Sequence, residues 1–322
     1  MKAESLHIAR FLALMGILFV SLHYAFPPLE TSAFRLWAFT FLDGRAAALL
    51  VMLLGIQFGM SAVTMPVALK QGALLFVVGI LLMAIYPAAL LALIGLSLIV
   101  GAAARHYLPK YLPWVSLAIV LIWPLMALIV DFRAGWSLSG YGDLWSPAGF
   151  LRNTLFNGWY PVIPWAAFFT FGMWLSTLDL PAKSTPRRLA VGGLFGAMIF
   201  KALSGIASSD KVGLSEAAGL SPLPANPIFV GFTLAACLSA LGVILWIAPK
   251  LGPLANLLAV PGEMPFTLYV LMVVIVAFLP GILPFGPGIL TVQIGATLLL
   301  FAHIWTRFMP AGPLEGLLAK LR

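Results

Sequence analysis

Residues 225–248 read ANPIFVGFTLAACLSALGVILWIA, and no Asp, Glu, Lys or Arg interrupts this stretch. A helix that crosses the hydrocarbon core of a bilayer, roughly 30 Å thick, needs about 20 consecutive, mostly apolar residues. Similar blocks recur from one end of the chain to the other, and almost all charged residues fall between them. The sequence therefore predicts an all-α, polytopic membrane protein.

The composition limits the function classes that this chain can serve. Of its 322 residues, 62% are hydrophobic and 9% are charged, whereas about a quarter of the residues of a soluble domain are charged. The predicted spans use most of the chain, which leaves a single integral-membrane domain over 1–322. A lone cysteine, Cys237, excludes an intramolecular disulfide and a thiolate metal cluster. Because the sequence lacks glycine-rich phosphate loops, paired-histidine metal spacings and nucleophile elbows, it argues against ATPases, metalloproteases and hydrolases, and no metal is expected.

Ten apolar blocks are candidate membrane spans. Because Pro87 disfavours a helical residue before it, the long block 71–104 is divided in two. The breaker-rich residues 280–288 predict a turn between the last two spans. The first block is interpreted as a retained helix, since no clear signal-peptide cleavage site follows it. The predicted spans are 8–26, 45–66, 71–86, 88–104, 113–131, 159–178, 188–207, 225–248, 264–283 and 288–308.

The basic residues predict the orientation of the chain. The net charge is +8, but Lys and Arg are dispersed at helix ends, which favours a role in orientation over nucleic-acid binding. Segments on the side of the N-terminus hold Lys2, Arg10, Lys70, Arg105, Lys110, Lys183, Arg187, Arg188, Lys250, Arg307, Lys320 and Arg322. Segments on the other side hold Arg35, Arg45, Arg133, Arg152 and Lys211. The positive-inside rule predicts that both termini are cytoplasmic. We expect the membrane to be the plasma (inner) membrane.

Ionisable residues gather at the predicted outer ends of the first two spans. His23 closes the first span, and Asp43 and Arg45 open the second. Histidine suits proton transfer near neutral pH, and ionisable groups at membrane depth often mark functional sites. The alternatives are an interfacial histidine bonded to a backbone carbonyl, and a helix cap in which Asp43 and Arg45 pair together. We expect the three side chains to line one cavity beneath the long outer segment 132–158.

Other residues carry weaker signals. Arg10 and His7 lie three residues apart at the inner end of the first span, so they share one helix face. Arg10 is a candidate contact for the phosphates of an acyl-CoA, with a lipid-phosphate contact as the alternative. Lys201 lies within a span and is interpreted as a snorkelling side chain. Gly55 and Gly59, four residues apart, predict a close helix contact.

Two longer outer segments, 27–44 and 132–158, separate the spans. The second holds Trp136, Tyr141, Asp143, Trp145 and Asn157. An interfacial aromatic belt is one interpretation of these side chains, and a site that opens outward is the other.

Five strings of sequence together resemble one superfamily, the membrane proteins related to heparan-α-glucosaminide N-acetyltransferase. They occur in the order found in that family and extend over nearly the whole chain. The strings are RFLALMGIL at 10–18, DGRAAA at 43–48 leading to LGIQFG at 54–59, YPVIPW at 160–165 followed by FGM at 171–173, MPFTLY at 264–269, and GPLE at 312–315.

The first helix departs from the family pattern. The family usually has an aspartate three residues before the arginine of this helix and a glycine directly after it. In this chain the arginine is Arg10, and the two positions hold His7 and Phe11. Ser21 stands where an asparagine or histidine is usual, and His23 comes two residues later. Because two residues turn a side chain about 200° around a helix, His23 takes that role if the helix ends or unwinds there.

The resemblance implies a transmembrane acyltransferase. It would move an acyl group from cytoplasmic acyl-CoA to a sugar or other acceptor at the outer face. Acetyl, from acetyl-CoA, is the first candidate for this group. His23 would be the general base or acyl carrier, oriented by Asp43, while Arg45 binds an anionic group and Arg10 faces the donor. Tyr160 and Trp165 would line a central cavity.

The partners and the alternatives follow from the same features. Membrane lipid and a small-molecule or glycan acceptor are the expected partners, a homodimer is left open, and nucleic acid is not expected. The alternatives to the enzyme are a transporter of a small or lipidic solute, and a non-catalytic assembly subunit that kept the scaffold.

Overall fold

The computed structural model describes residues 2–25, 32–137, 140–180, 182–207, 218–278 and 286–322. These residues form an all-α bundle with one small hairpin. The helices are α1 (Lys2–Ala25), α2 (Ala33–Leu42), α3 (Arg45–Met60), α4 (Met65–Met83), α5 (Leu91–Tyr107), α6 (Leu112–Ala127), α7 (Pro147–Arg152), α8 (Val162–Leu175), α9 (Thr185–Ala207), α10 (Pro227–Ile247), α11 (Pro253–Ala259), α12 (Pro265–Phe278), α13 (Pro287–Phe308) and α14 (Pro313–Ala319).

Short elements complete the described fold. A π-helical turn (Asn153–Asn157) follows α7, and 3-10 turns lie at Pro109–Tyr111, Ala248–Lys250 and Val260–Glu263. Strands β1 (Trp136–Ser137) and β2 (Gly140–Tyr141) pair antiparallel, with Trp136 opposite Tyr141.

Several described helices are long and apolar enough to cross a membrane. Seven segments qualify by length and composition, one of them α2 and α3 taken together (residues 33–60), and an eighth does if residues 253–263 and α12, bent by 77°, form one span. Helices α5 and α8 are also apolar, but they have 17 and 14 residues, fewer than the roughly 20 of a straight crossing. The chain is thus a multi-pass helical protein, while the number ten and the orientation stay predictions. The expected turn at 280–288 lies mostly outside the described residues.

Helices α1 and α3 form the centre of the bundle. Nearly every residue of α3 is buried, and α3 packs along α8 with backbones in close approach. A Cβ added to Gly55 would overlap the Phe169 carbonyl, and one on Gly172 would overlap the Met52 carbonyl. A Cβ on Gly59 would overlap the Ser176 side chain. The predicted close contact through Gly55 and Gly59 is confirmed.

Helix α2 lies within the segment that the sequence suggested only as a long connection. The Ser32 hydroxyl accepts a hydrogen bond from the Arg35 amide (3.3 Å) and caps the helix. No residue of α2 is buried, and the rings of Phe34, Trp37 and Phe41 are exposed. Ten residues are too few to cross a bilayer by themselves, and α2 is counted as a candidate span only together with α3.

A tight turn joins α2 to α3. Gly44 has φ +74°, a conformation that residues with a Cβ rarely adopt. A Cβ there would also lie 2.8 Å from both Phe229 and Pro222. Glycine at this position therefore interrupts the helix between α2 and α3 and brings the start of α3 against the segment that precedes α10.

At the opposite end, short elements cross the start of α1. The turn Val260–Glu263 packs so closely on α1 that a Cβ on Gly262 would overlap the His7 carbonyl. Glu315 of α14 caps α12, accepting hydrogen bonds from the Phe266 amide (2.7 Å) and the Thr267 hydroxyl (2.5 Å). Burial raises the pKa of the Glu315 carboxyl. The C-terminal helix is thereby attached to the bundle.

Candidate functional site

The bundle has two ends, which we call the His23 end and the Arg10 end after the residues of α1 that mark them. The His23 end also holds α2, the start of α3, the start of α8 and the start of α10. His23, Asp43 and Arg45 meet there, as the sequence predicted, because α1 and α3 run in opposite directions.

His23 is buried, and one ring nitrogen has a backbone partner. Nδ1 lies 3.0 Å from the carbonyl oxygen of Phe19, one helical turn earlier. The ring lies 4.2 Å from the Phe19 ring and 5.4 Å from the Phe39 ring of α2, centroid to centroid. Nε2 is buried and has no hydrogen-bond partner among the described residues. When Nδ1 carries the proton and donates it to the carbonyl, Nε2 keeps a free lone pair, the form of a general base.

Asp43 does not orient His23, contrary to the sequence prediction. Its Oδ2 accepts a hydrogen bond from the Tyr24 hydroxyl (3.1 Å). Successive helix residues point about 100° apart, and Tyr24 is the one that faces the turn between α2 and α3. Helix α1 also stays regular through Ala25, so His23 does not come round to the position that Ser21 occupies.

Arg45 links three segments through backbone carbonyls. Nη1 donates to the carbonyl oxygens of Thr40 (3.0 Å) and Asp43 (2.8 Å), and Nη2 donates to that of Leu220 (2.7 Å). Its guanidinium also lies 5.5 Å from the ring centroid of Phe229 and is largely buried. The planar fork of arginine suits such a multidentate contact. Arg45 therefore holds the α2–α3 turn against the segment before α10.

A cavity of about 500 Å³ opens beside this turn, within the range of roughly 300–1,000 Å³ usual for small-molecule sites. We call it the Arg45–Lys201 cavity. Its walls come from α2, the start of α3, α9, residues 220–222 and α10, and its charged residues are Asp43, Arg45 and Lys201. No described residue of 132–158, the segment predicted to cover the site, lines this cavity.

His23 is separated from the Arg45–Lys201 cavity by a single side chain. Phe39 lines the cavity and also stacks on the His23 ring. The prediction that His23, Asp43 and Arg45 share one cavity thus holds for Asp43 and Arg45 only. Lys201 was interpreted from the sequence as a snorkelling residue. The sequence signal for this residue was a single cation within the apolar part of α9, residues 189–207.

Tyr160 and Trp165 belong to a packed aromatic row. Their rings lie 4.8 Å apart, edge to face, and Trp165 lies 6.0 Å from the ring of Phe229. Trp165 has no exposed surface. Neither residue lines the Arg45–Lys201 cavity. The row connects the start of α8 to the aromatic ring beneath Arg45.

The polar residues of 132–158 bond mainly with one another and with the backbone. The Asn157 amide donates to the carbonyls of Phe132 (2.9 Å) and Ala134 (2.7 Å), and its oxygen accepts from the Tyr141 hydroxyl (2.9 Å). Arg152 pairs with Asp143 at 2.5 Å. Burial raises the pKa of the Tyr141 hydroxyl, and hydrogen bonds to Tyr141 and Asp143 raise that of Arg152. These contacts explain the polar residues as structural.

At the Arg10 end, Arg10 and His7 both face the turn Val260–Glu263. Arg10 is 3% exposed, and its Nη1 donates to the Gly262 carbonyl at 3.4 Å. His7 Nδ1 lies 3.3 Å from a carboxylate oxygen of Glu263. A separate cavity of about 170 Å³, bordered by Gln57, Gln71 and Glu315, opens at this end and does not include Arg10.

The described residues contain no group of three or more His, Cys, Asp or Glu side chains that could hold a metal ion. The distinctive chemistry of the site is therefore one imidazole with a free nitrogen, beside a cavity that carries two cations and one carboxylate. Comparison of this chain with protein-family models, with curated proteins and with solved structures gives no match.

Proposed function

We propose that this chain is a transmembrane acyltransferase that moves an acyl group from cytoplasmic acyl-CoA to a sugar or other acceptor at the opposite face. Acetyl is the first candidate for the acyl group. The observation that supports it best is the state of His23. Its Nδ1 is held by a backbone carbonyl, and its Nε2 is left without a partner among the described residues. An oriented imidazole with one free nitrogen is suited to general-base catalysis.

In this proposal the thioester end of the donor extends from the Arg10 end to His23, where Nε2 removes the proton from an acceptor hydroxyl or amine. The acceptor oxygen or nitrogen then forms a bond to the thioester carbonyl carbon, the carbon–sulfur bond breaks, and the CoA thiolate leaves and takes up the proton. The Phe19 carbonyl holds the ring in the required tautomer, which replaces the orienting role first given to Asp43. Asp43 and Arg45 shape the site through Tyr24 and the α2–α3 turn.

Access to His23 requires a movement of Phe39. Nε2 is buried, and the Phe39 ring of α2 stacks on the imidazole, so in this proposal α2 moves to admit the acceptor. Helix α2 has no buried residue, and Gly44 follows it. A helix with few buried contacts opens at low free-energy cost. We therefore assign α2 the role of a cover over the base.

The donor is assigned to the Arg10 end, which would face the cytoplasm in the N-in, C-in topology. The cavity there, about 170 Å³, is smaller than the roughly 300 Å³ at which small-molecule pockets begin, so it would take only part of an acyl-CoA. Arg10 is hydrogen-bonded to Gly262, so a phosphate contact requires this turn to move.

The test is an acyl-transfer assay on the purified chain with radiolabelled acetyl-CoA. We expect His23→Ala to abolish CoA release and acyl transfer, since no other group replaces the base. His303→Ala is the matched control, because His303 Nδ1 makes the same contact with a carbonyl one turn earlier, that of Leu299 at 2.9 Å. Equal activity in wild type and His23→Ala would reject His23 as the base.

One observation favours the non-catalytic scaffold as a second candidate. The free nitrogen of His23 is buried, and the Asp43 carboxylate accepts a hydrogen bond from Tyr24. In the same assay, Phe39→Ala separates the two functions. The enzyme should keep its activity or gain some when the cover is removed, whereas a scaffold stays inactive in both forms.

A further inference from the structure

We propose that the Arg45–Lys201 cavity binds an amphiphile with an anionic phosphate headgroup, which enters sideways from the surrounding leaflet. The cavity has both kinds of wall that such a molecule needs. Trp37, Phe41 and Phe232 supply apolar surface, and Arg45 and Lys201 supply positive charge.

Lys201 is the cation that is free to take the headgroup. Arg45 already donates to three carbonyls, and the Asp43 carboxylate accepts from Tyr24. Among the described residues Lys201 has no hydrogen-bond or ion-pair partner, although its side chain borders the cavity. A cation at membrane depth is costly unless it meets water or an anion. A phosphate in the cavity would meet that requirement.

The position of Lys201 on α9 indicates where the acyl chains would lie. Lys201 shares a helix face with Leu194 and Met198, seven and three residues earlier. Leu194 is 58% exposed and Met198 is 61% exposed. Very little of α9 is buried inside the bundle, so this face is available to lipid. A headgroup at Lys201 would therefore place its acyl chains along the exposed apolar face of α9.

This site deepens the acyl-transfer proposal in one respect. Identification of the amphiphile as the acyl acceptor rests on the proposed function, whereas its binding does not. The cavity lies next to Phe39, which covers His23. An amphiphile held there would have its headgroup beside the base once α2 moves.

The experiment measures lipid binding to the purified, delipidated full chain by native mass spectrometry, without turnover. Phosphatidylglycerol and phosphatidylcholine with the same acyl chains are the two probes. We expect wild type to prefer phosphatidylglycerol, and Lys201→Met to bind it about tenfold more weakly, because a charge-assisted hydrogen bond is lost. Phosphatidylcholine binding should not change.

Two variants guard against indirect effects. Lys201→Arg keeps the charge and should bind phosphatidylglycerol as wild type does. Lys183→Met removes an exposed lysine at the Arg10 end and should have no effect. Lipid binding that is unaffected by Lys201→Met, or a wild type that does not distinguish the two lipids, would overturn the proposal.

Competition with inorganic phosphate shows whether the cavity binds the phosphate of a lipid headgroup or free phosphate. An excess of it should not displace phosphatidylglycerol, because the apolar walls contribute to binding. Displacement would mean that the cavity takes free phosphate, and the amphiphile would then be rejected. Since no arm of this experiment measures acyl transfer, a failure here is distinguishable from a failure of the proposed enzyme.

Discussion

His23 and Arg45 both obtain their orientation from backbone carbonyls. In His23 the carbonyl belongs to the preceding turn of its own helix, and in Arg45 the carbonyls come from the α2–α3 turn and from Leu220. Because a carbonyl accepts without titrating in the physiological range, neither orientation depends on the charge of Asp43. The two side chains thus keep their positions if Asp43 changes its protonation state.

Arg45→Lys should destabilise the chain although it keeps the charge. Lysine has one nitrogen on a flexible stem and cannot reproduce three donations at fixed angles. Buried carbonyls that lose their partner cost about 1–3 kcal/mol. We expect a lower melting temperature in detergent, with Arg188→Lys, an exposed position, as the control. An unchanged melting temperature for Arg45→Lys would show that water replaces the guanidinium.

At the scale of elements, helices α3 and α8 are in close backbone contact. Glycines on both helices meet the backbone of the partner, Gly55 from α3 and Gly172 from α8. In lipid, where apolar side chains gain little by leaving the solvent, close backbone packing is a main source of helix association. This pair supports the start of α3, and through it the α2–α3 turn.

Gly55→Leu should therefore separate α3 from α8. Its first side-chain atom would overlap the Phe169 carbonyl, and overpacking of a tight contact costs about 1–3 kcal/mol or more. Gly192→Leu on α9 is the control, because a Cβ there meets no neighbouring atom. Thermal unfolding in detergent measures both variants. Equal melting temperatures for the two would contradict the packing described for α3.

On the scale of the whole molecule, hydropathy predicted the ten longer helices of the described fold and omitted four short ones, α2, α7, α11 and α14. Each of the ten predicted spans contains a helix in the structure, because every crossing segment must be apolar by itself and so leaves a local signal. Helix α2 is apolar as well, but with ten residues it is shorter than a crossing span, so the sequence predicted only a connection there. The bend of 77° before α12 is a feature of the tertiary structure, so hydropathy does not predict it.

Only part of the candidate site could be predicted from the sequence. His23, Asp43 and Arg45 are brought together by the reversal between neighbouring spans, which the sequence reveals. Phe39, Lys201 and Leu220 join them through contacts between distant segments. Backbone carbonyls are present at every residue, so no residue pattern identifies those that bind Arg45 or His23.

The orientation of the whole chain can be tested with single cysteines. Cys237 is buried, with its Sγ 3.6 Å from the Arg45 carbonyl, so the unmodified chain should not react with an impermeant maleimide and serves as the control. Ser184 and Ser221 are exposed and lie beyond opposite ends of α9.

If the N-terminus is cytoplasmic, Ser221→Cys should be labelled in intact cells. Ser184→Cys should be labelled only after the membrane is permeabilised, because it lies on the side that carries most Lys and Arg residues. The reverse pattern would place the Arg45–Lys201 cavity in the cytoplasmic leaflet. It would also put the base and the acyl-CoA donor on the same side, which would remove the need for transfer across the membrane.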